Sequence, residues 1–377
     1  MCLCIVETGD VPAACAPTYP PRLRENMASH LEHPVTPRPS LRQVMADFGP
    51  IYAANGFIGL VFSASGPVAI ILSVGTGGGL SQAELASWIF GVFFINGLIT
   101  LGMSWAYREP LSFFWTIPGT VLVGPALQHL RFAEVIGAFY VTAVLLLVLG
   151  ASGWVKRAME AVPMPIVMGM VAGVFLRFGL DLVRALHADP ALAGAMALVF
   201  LALSALPRLG RRLPPLIGAL LVGAVMAAML GRIDSTALGS LQLARPVIQA
   251  PAWSLAALAE LVVPLAITVL VVQNGQGFAV LRAAGHHPPV NTCTVMCGVG
   301  SAFAAMVGAV SSCVTGPTNA LLTSTGERSR HYVAAMFVGV LAVGFGLLAP
   351  AFTGLMIRGQ LGSVSGVCGH SGVRLAV

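Results

Sequence analysis

Apolar runs of near bilayer-crossing length recur along this chain, with short polar turns between them. They fall at about 51–75, 83–105, 133–153, 163–186, 191–206, 214–231, 254–279, 290–310 and 331–355. A span needs about 20 apolar residues, so the pattern predicts a bundle of transmembrane helices. Two further runs, 113–128 and 311–325, are interrupted. The first reads Trp115-Thr116-Ile117-Pro118-Gly119-Thr120-Val121-Leu122. The second reads Cys313-Val314-Thr315-Gly316-Pro317-Thr318-Asn319-Ala320-Leu321-Leu322. Each sets a Pro/Gly pair among threonines ahead of an apolar stretch too short to cross. The two prolines stand about half the chain apart. Paired broken segments at matching places in two halves point to a transporter's binding site.

Bare backbone N–H and C=O groups are not tolerated in hydrocarbon, so irregular backbone at membrane depth must line protein or water. Proline in a helix's first turn costs nothing, because its N–H would be an orphan there. Helices starting at Pro118 and Pro317 are therefore expected, each preceded by a short extended piece. Their free N–H groups and positive dipole ends suit an anion.

Composition sharpens this picture. The 377 residues are 57% hydrophobic and 9% charged, against about 25% charged in soluble domains. The chain is read as an all-α polytopic membrane protein in the lipid bilayer. The net charge of +6 carries no basic stripe with interleaved aromatics, so no nucleic-acid partner is expected. Cys293 and Cys297, one helical turn apart, are read as small packing residues rather than metal ligands. Cys2, Cys4, Cys15 and Cys368 fall in polar tails. No cofactor and no metal are expected.

Residues 1–45 are Pro-rich and polar and are read as a disordered cytoplasmic tail. Residues 46–231 form a first repeat of seven segments, 232–252 an extracytoplasmic loop, and 253–356 a second repeat of four. Residues 357–377 read as an aberrant tail. The expectation is that three helices are missing and that such a form does not transport. Placing the N-terminus inside puts Arg108, Lys156, Arg157, Arg208, Arg211, Arg212, Arg282, Arg328 and Arg330 on the inner face. Arg131, Arg177, Arg184, Arg232 and Arg245 fall outside, as the positive-inside rule requires. Seven segments before the long loop reverse the second half, which gives an inverted repeat.

Several motifs in order resemble the benzoate–proton symporter family, within the larger group of nucleobase and anion carriers with seven-plus-seven inverted repeats. They are Gln273-Asn274, then Gly277-Phe278-Ala279-Val280-Leu281-Arg282-Ala283-Ala284-Gly285 and Pro288-Pro289. Next come Ser311 to Leu322, Gly326-Glu327-Arg328 and Arg330-His331-Tyr332, with Trp115-Thr116-Ile117-Pro118-Gly119 as the first-half counterpart. The resemblance covers roughly 45–356. It implies a core domain (segments 1–4 and 8–11) and a gate domain, with substrate held between the two half-helices.

Candidate substrate-binding residues come from the breaks and the resemblance: Ser65, Thr116, Gly119, Thr120, Gln273, Asn274, Thr315, Gly316, Thr318 and Asn319. For the threonines and Asn319 the competing reading is helix capping; for Gln273 and Asn274 it is helix–helix hydrogen bonding. Ser65 sits in the Ser63-Ser65-Gly66-Pro67 interruption, read as close packing with Ser65 a cavity residue. Amides at 273–274 suit an anionic substrate, which a carboxylate would repel. Glu260, in the Ala256–Val272 run, is the candidate proton-linked group; a wetted or helix-joining role competes. Asp181 with Arg177 and Arg184 is read as an ion-pair set. His286 and His287, beside Pro288-Pro289, are read as a solvated loop. Phe57, Phe114 and Trp115 suit stacking on a ring or lipid anchoring.

The sequence thus suggests a secondary carrier, not an enzyme, taking an aromatic carboxylate and a proton across a bacterial inner membrane. A nucleobase, xanthine or other anion carrier is the alternative; an integral-membrane enzyme lacks a His/Asp/Cys cluster. A homodimer is left open.

Overall fold

In a computed structural model the described residues are 31–161, 182–187, 189–206, 215–229 and 242–353, with single positions 169, 176 and 180. Ser40 caps α1 (Leu41–Asp47) by accepting the Gln43 N–H. The first apolar run becomes α2 (Pro50–Ala64) and α3 (Gly66–Gly77), broken at Ser65, whose ψ of −104° is not helical. A Ser81/Glu84 capping box opens α4 (Gln82–Phe90). This helix widens into a π turn over Gly91–Ile95 and continues as α5 (Asn96–Tyr107). Strand β1 (Phe113–Trp115) and α6 (Ile117–Ala126) replace the first interrupted segment. Then come α7 (Phe132–Ala151), α8 (Trp154–Ala161), α9 (Pro190–Ala205) and α10 (Pro215–Met229).

The second half repeats the plan. α11 (Leu255–Ile267) passes through a π stretch, Thr268–Asn274, into α12 (Gly275–Ala283). It is followed by α13 (Val290–Met306), β2 (Ser312–Val314) and α14 (Gly316–Leu322). A 3₁₀ turn at Arg328–Arg330 leads into α15 (His331–Leu347). Among the described residues, five helical stretches are long and apolar enough to cross a membrane: Pro50–Gly77, Gln82–Tyr107, Phe132–Ala151, Leu255–Ala283 and Arg328–Leu347.

The two breaks meet. β1 and β2 pair antiparallel, with Phe113 opposite Val314, Phe114 opposite Cys313 and Trp115 opposite Ser312. All six residues are buried. The ladder is extended symmetrically: the Thr116 N–H donates to the Ser311 carbonyl at 3.0 Å, and the Thr315 N–H to the Ser112 carbonyl at 3.2 Å. Two strands this short are not stable alone, so neighbouring helices must satisfy their outer edges. Thr100 of α5 accepts the Phe113 N–H (2.8 Å) and donates to its carbonyl (3.2 Å). Ser301 of α13 accepts the Ser312 N–H at 2.9 Å.

Helix packing has the same two-fold logic. α5 packs on α15 and α13 on α7; α2 packs on α15 and α11 on α7; α2 meets α14 and α11 meets α6. Small residues permit these crossings. A Cβ at Gly97 would lie 2.9 Å from the Gly339 carbonyl, and one at Gly298 would lie 2.8 Å from the Leu147 nitrogen. The inverted repeat expected from the charge pattern is therefore the packing arrangement of the core. α9 and α10 pack chiefly on each other, and α10 reaches α2.

Two expectations meet structure only in part. Of the supposed tail, residues 1–30 lie outside the described residues, whereas 31–45 are built onto the bundle. Tyr107 donates to the Glu32 carbonyl at 2.6 Å, and the Glu32 carboxylate accepts the Asn291 and Thr292 N–H groups at the start of α13. A carboxylate there complements the helix dipole. The 163–186 segment, including Arg177 and Asp181, lies mostly outside the described residues, as do residues 232–241, 354–377 and the tail cysteines.

Candidate substrate-binding site

A pocket with about 280 Å³ of open space, counting space continuous with solvent, lies where α6 and α14 begin. Phe62, Ser63, Pro67, Phe114, Trp115, Ile117, Gln273, Thr315, Pro317 and Thr318 line it. Both repeats contribute: the α2–α3 break and β1 from one, the π stretch after α11 and the start of α14 from the other.

The two half-helix ends are not equivalent. At α6, Thr116 accepts the Gly119 N–H at 3.1 Å and donates to the Thr268 hydroxyl at 3.1 Å. Thr120 donates back to the Thr116 carbonyl at 3.0 Å. Thr116, Gly119 and Thr120 thus satisfy one another, and this end carries its own cap. At α14 the matching Thr315 makes no side-chain cap. Its hydroxyl is buried without a hydrogen-bond partner, as is the indole N–H of Trp115. Such groups cost free energy unless something pairs with them, and both belong to cavity-lining residues. Thr318 adds a hydroxyl 3.3 Å from that of Ser63.

The candidate amides divide. Gln273 lines the cavity. Asn274, one residue on, turns to β2 and accepts the Val314 N–H at 2.8 Å, with Cys297 at 3.7 Å. Consecutive residues of a helix point about 100° apart, so the two neighbours face different partners. Asn319 accepts the Ser112 N–H at 3.0 Å and is fully buried. Both asparagines thereby close the backbone ladder at β1 and β2. Gly316 is held tight under α12, where a Cβ would sit 2.9 Å from that of Gln276.

Ser65 stands apart from the cavity. It is exposed and donates to the Phe62 carbonyl at 3.0 Å. The neighbour two residues earlier, Ser63, supplies the wall instead, because the helix break turns Ser65 outward. Phe57 is 42% exposed, while Phe114 and Trp115 are buried in the wall. Glu260 also lies elsewhere, in a half-exposed pair with His129 at 2.9 Å. Cys293, Cys297 and Cys313 are free and buried, and no metal-holding cluster exists among the described residues.

The supposed solvated loop at 286–287 is corrected by the fold. His286 is only 4% exposed, hydrogen-bonded to His331 and in ion-pair contact with Glu109; His287 alone faces water. The pairing joins positions 45 residues apart, which local sequence pattern does not encode.

Comparison with known proteins adds independent information. Residues 46–360 match the family model described as benzoate membrane transport protein. The inner membrane protein YdcO of Escherichia coli is 29% identical over 308 residues, covering 80% of this chain and 76% of that one. The benzoate membrane transport protein of Acinetobacter baylyi is 25% identical over 321 residues, covering 84% and 79%. Among solved structures, the transmembrane domain of the cyanobacterial bicarbonate transporter BicA shares the fold. Its TM-score is 0.51 at 14% identity, with 87% of this chain and 90% of that chain covered. With the inverted repeat, the crossed half-helices and a match across most of its length, this multi-pass membrane chain belongs to the benzoate membrane transport protein family of transporters.

Proposed function

We propose that the protein is a secondary carrier that couples inward proton movement to uptake of benzoate or a related aromatic carboxylate across the bacterial inner membrane. The N-terminus lies in the cytoplasm. The observation that carries this reading is the chemistry of the cavity wall. Phe62, Phe114 and Trp115 offer ring faces and edges, suited to an aromatic ring. The Trp115 N–H, the Thr315 hydroxyl and the Gln273 amide offer hydrogen bonds, two of them otherwise unmade. None of the lining side chains is acidic, so a carboxylate meets no like charge. A co-transported proton offsets the anion's charge and lowers its cost of crossing.

The test is uptake of radiolabelled benzoate into proteoliposomes. An inward proton gradient is expected to drive accumulation, and a protonophore to abolish it. Uptake indifferent to the gradient refutes the coupling. Transport of uracil but not benzoate assigns the cavity to a nucleobase instead.

A further inference from the structure

None of the side chains lining the cavity titrates near neutral pH. A proton carried by the protein and not by the substrate's own carboxylate therefore needs a site elsewhere. The described residues hold one buried cluster of such groups, and it joins the two repeats. Glu109 comes from the turn between α5 and β1. His286 comes just after α12, and His331 begins α15. The Glu109 carboxylate lies 2.5 Å from Nδ1 of His286, and Nε2 of His286 lies 3.0 Å from Nδ1 of His331. Both rings are 4% exposed, while Glu109 is 19% exposed.

Local structure fixes His286 in place. Gly285, at φ +83°, ends α12 in the left-handed region. The His286 N–H then reaches the Leu281 carbonyl at 2.9 Å and the Gly285 N–H the Arg282 carbonyl at 2.9 Å. These contacts make a helix C-terminal lock that only glycine enters cheaply. The His287 N–H donates to the second Glu109 oxygen at 3.2 Å, which orients the carboxylate.

Hydrogen-bond chemistry then orders the protons. A carboxylate only accepts, so His286 donates from Nδ1. With His286 neutral, its Nε2 accepts and His331 donates from Nδ1; with His286 as the imidazolium, both its nitrogens donate and Nδ1 of His331 accepts. In the first of these states Nε2 of His331 is a lone pair, and this atom is buried with no hydrogen-bond partner. The polar groups facing this ring from the loop leaving α14 are the backbones of Thr325 and Gly326. A bare lone pair beside carbonyls is unfavourable, and an N–H there is favourable.

We propose that Glu109, His286 and His331 form the proton-binding site and exit relay of the transport cycle. A proton arriving at Nε2 of His331 is matched by passage of the Nδ1 proton to Nε2 of His286. His331 is then neutral in its other tautomer, and His286 is an imidazolium beside the Glu109 carboxylate. His286 next gives its Nδ1 proton to Glu109, which releases it to water. One proton enters, one leaves, and both rings must exchange tautomers before the next turnover. The other charged groups around the cluster are arranged not to fill the lone pair. Arg328 lies against Gly285, His287 faces water, and Arg108 is engaged with Asp47 and the ring of Tyr332.

This inference rests on the proton-symport reading, and the experiment separates the two. Wild-type protein and the variants His331→Gln, His286→Gln and Glu109→Gln are reconstituted. Two assays are run: benzoate counterflow, which needs no net proton movement, and uptake driven by a pH gradient, with a dye reporting lumenal pH. Counterflow is read to normalise each variant for folded, benzoate-competent protein. Gradient-driven uptake and the accompanying proton flux are expected to fall about a hundredfold. Glu109→Gln, at the watered end of the relay, keeps the test decisive if a buried histidine variant fails to fold. Wild-type uptake that ignores the gradient overturns the symport reading. Wild-type coupling that survives in the folded variants overturns the relay alone.

Discussion

Phe114 and Cys313 stand opposite each other at the middle of the β1–β2 pair, so the centres of the two sequence breaks coincide in space. The pairing places the starts of α6 and α14 on either side of one cavity. It also makes the cavity depend on backbone groups that no long helix satisfies. Their partners are single side chains on neighbouring helices, and these carry the first prediction.

Thr100 serves both backbone groups of Phe113. Thr100→Val keeps the shape and leaves both without a partner in an apolar surround. The expected loss is about 1–3 kcal/mol of stability, read as a lower midpoint of thermal unfolding in detergent. Ser301→Ala, which frees only the Ser312 N–H, should cost less. Equal melting of Thr100→Val and wild type would show that water reaches this edge.

Adjacent amides should behave differently. Gln273→Ala removes a cavity contact and should weaken benzoate binding about tenfold to a hundredfold, with little change in melting. Asn274→Ala removes the acceptor of the Val314 N–H and should lower melting by an amount equivalent to about 1–3 kcal/mol. Binding by calorimetry and melting by fluorescence, measured on both variants, distinguish the roles. The same shift in both quantities for both variants would refute the division.

The breaks themselves were legible because Pro118 and Pro317 interrupt apolar runs in a way only a watered or protein-lined depth tolerates. The antiparallel meeting of 113–115 with 312–314 is a consequence of the inverted repeat. Direction was hidden. Gln273 and Asn274 are neighbours of one chemical type, and the helical turn between them sends them to different partners. Thr116 and Thr315 occupy equivalent places, yet only Thr116 caps its helix, accepting the Gly119 N–H, while Thr315 makes no such bond. Ser63 and Ser65 differ only in which side of a helix break they fall. The His286–His331 contact depends on two distant loops meeting, which no periodicity reports.

Gly277 tests the packing of α12 on β2. A Cβ there would lie 2.7 Å from the Val314 carbonyl oxygen. Gly277→Val is expected to push α12 off the strand at a cost of about 1–3 kcal/mol or more, visible as reduced thermal stability and reduced benzoate affinity together. Gly102 offers the control: a Cβ there meets nothing within 4 Å, so Gly102→Ala should melt like wild type. A Gly277→Val protein as stable as wild type would mean that the strand yields freely.

Trp115 bears the sharpest test of how substrate is held. Its ring is 1% exposed and packs edge-on against Phe93 and Phe114, at centroid distances of 5.1 and 6.0 Å. Its N–H is the one polar feature of the side chain, and it lacks a partner. If the N–H binds the substrate's carboxylate, removing it loses a hydrogen bond to a charged group, worth about 1.5–3 kcal/mol, or roughly a tenfold to hundredfold rise in Kd. Trp115→Phe removes the donor and some ring area while keeping the aromatic edge against Phe93. Because the N–H is buried without a partner, its loss should also leave stability unchanged or slightly raised, apart from the smaller ring's lost packing. The discriminating comparison is a neutral ring of similar size. Benzamide, if it binds, should lose much less affinity than benzoate on Trp115→Phe. Equal losses for both ligands would assign Trp115 to ring packing and return the carboxylate to Gln273 and Thr315.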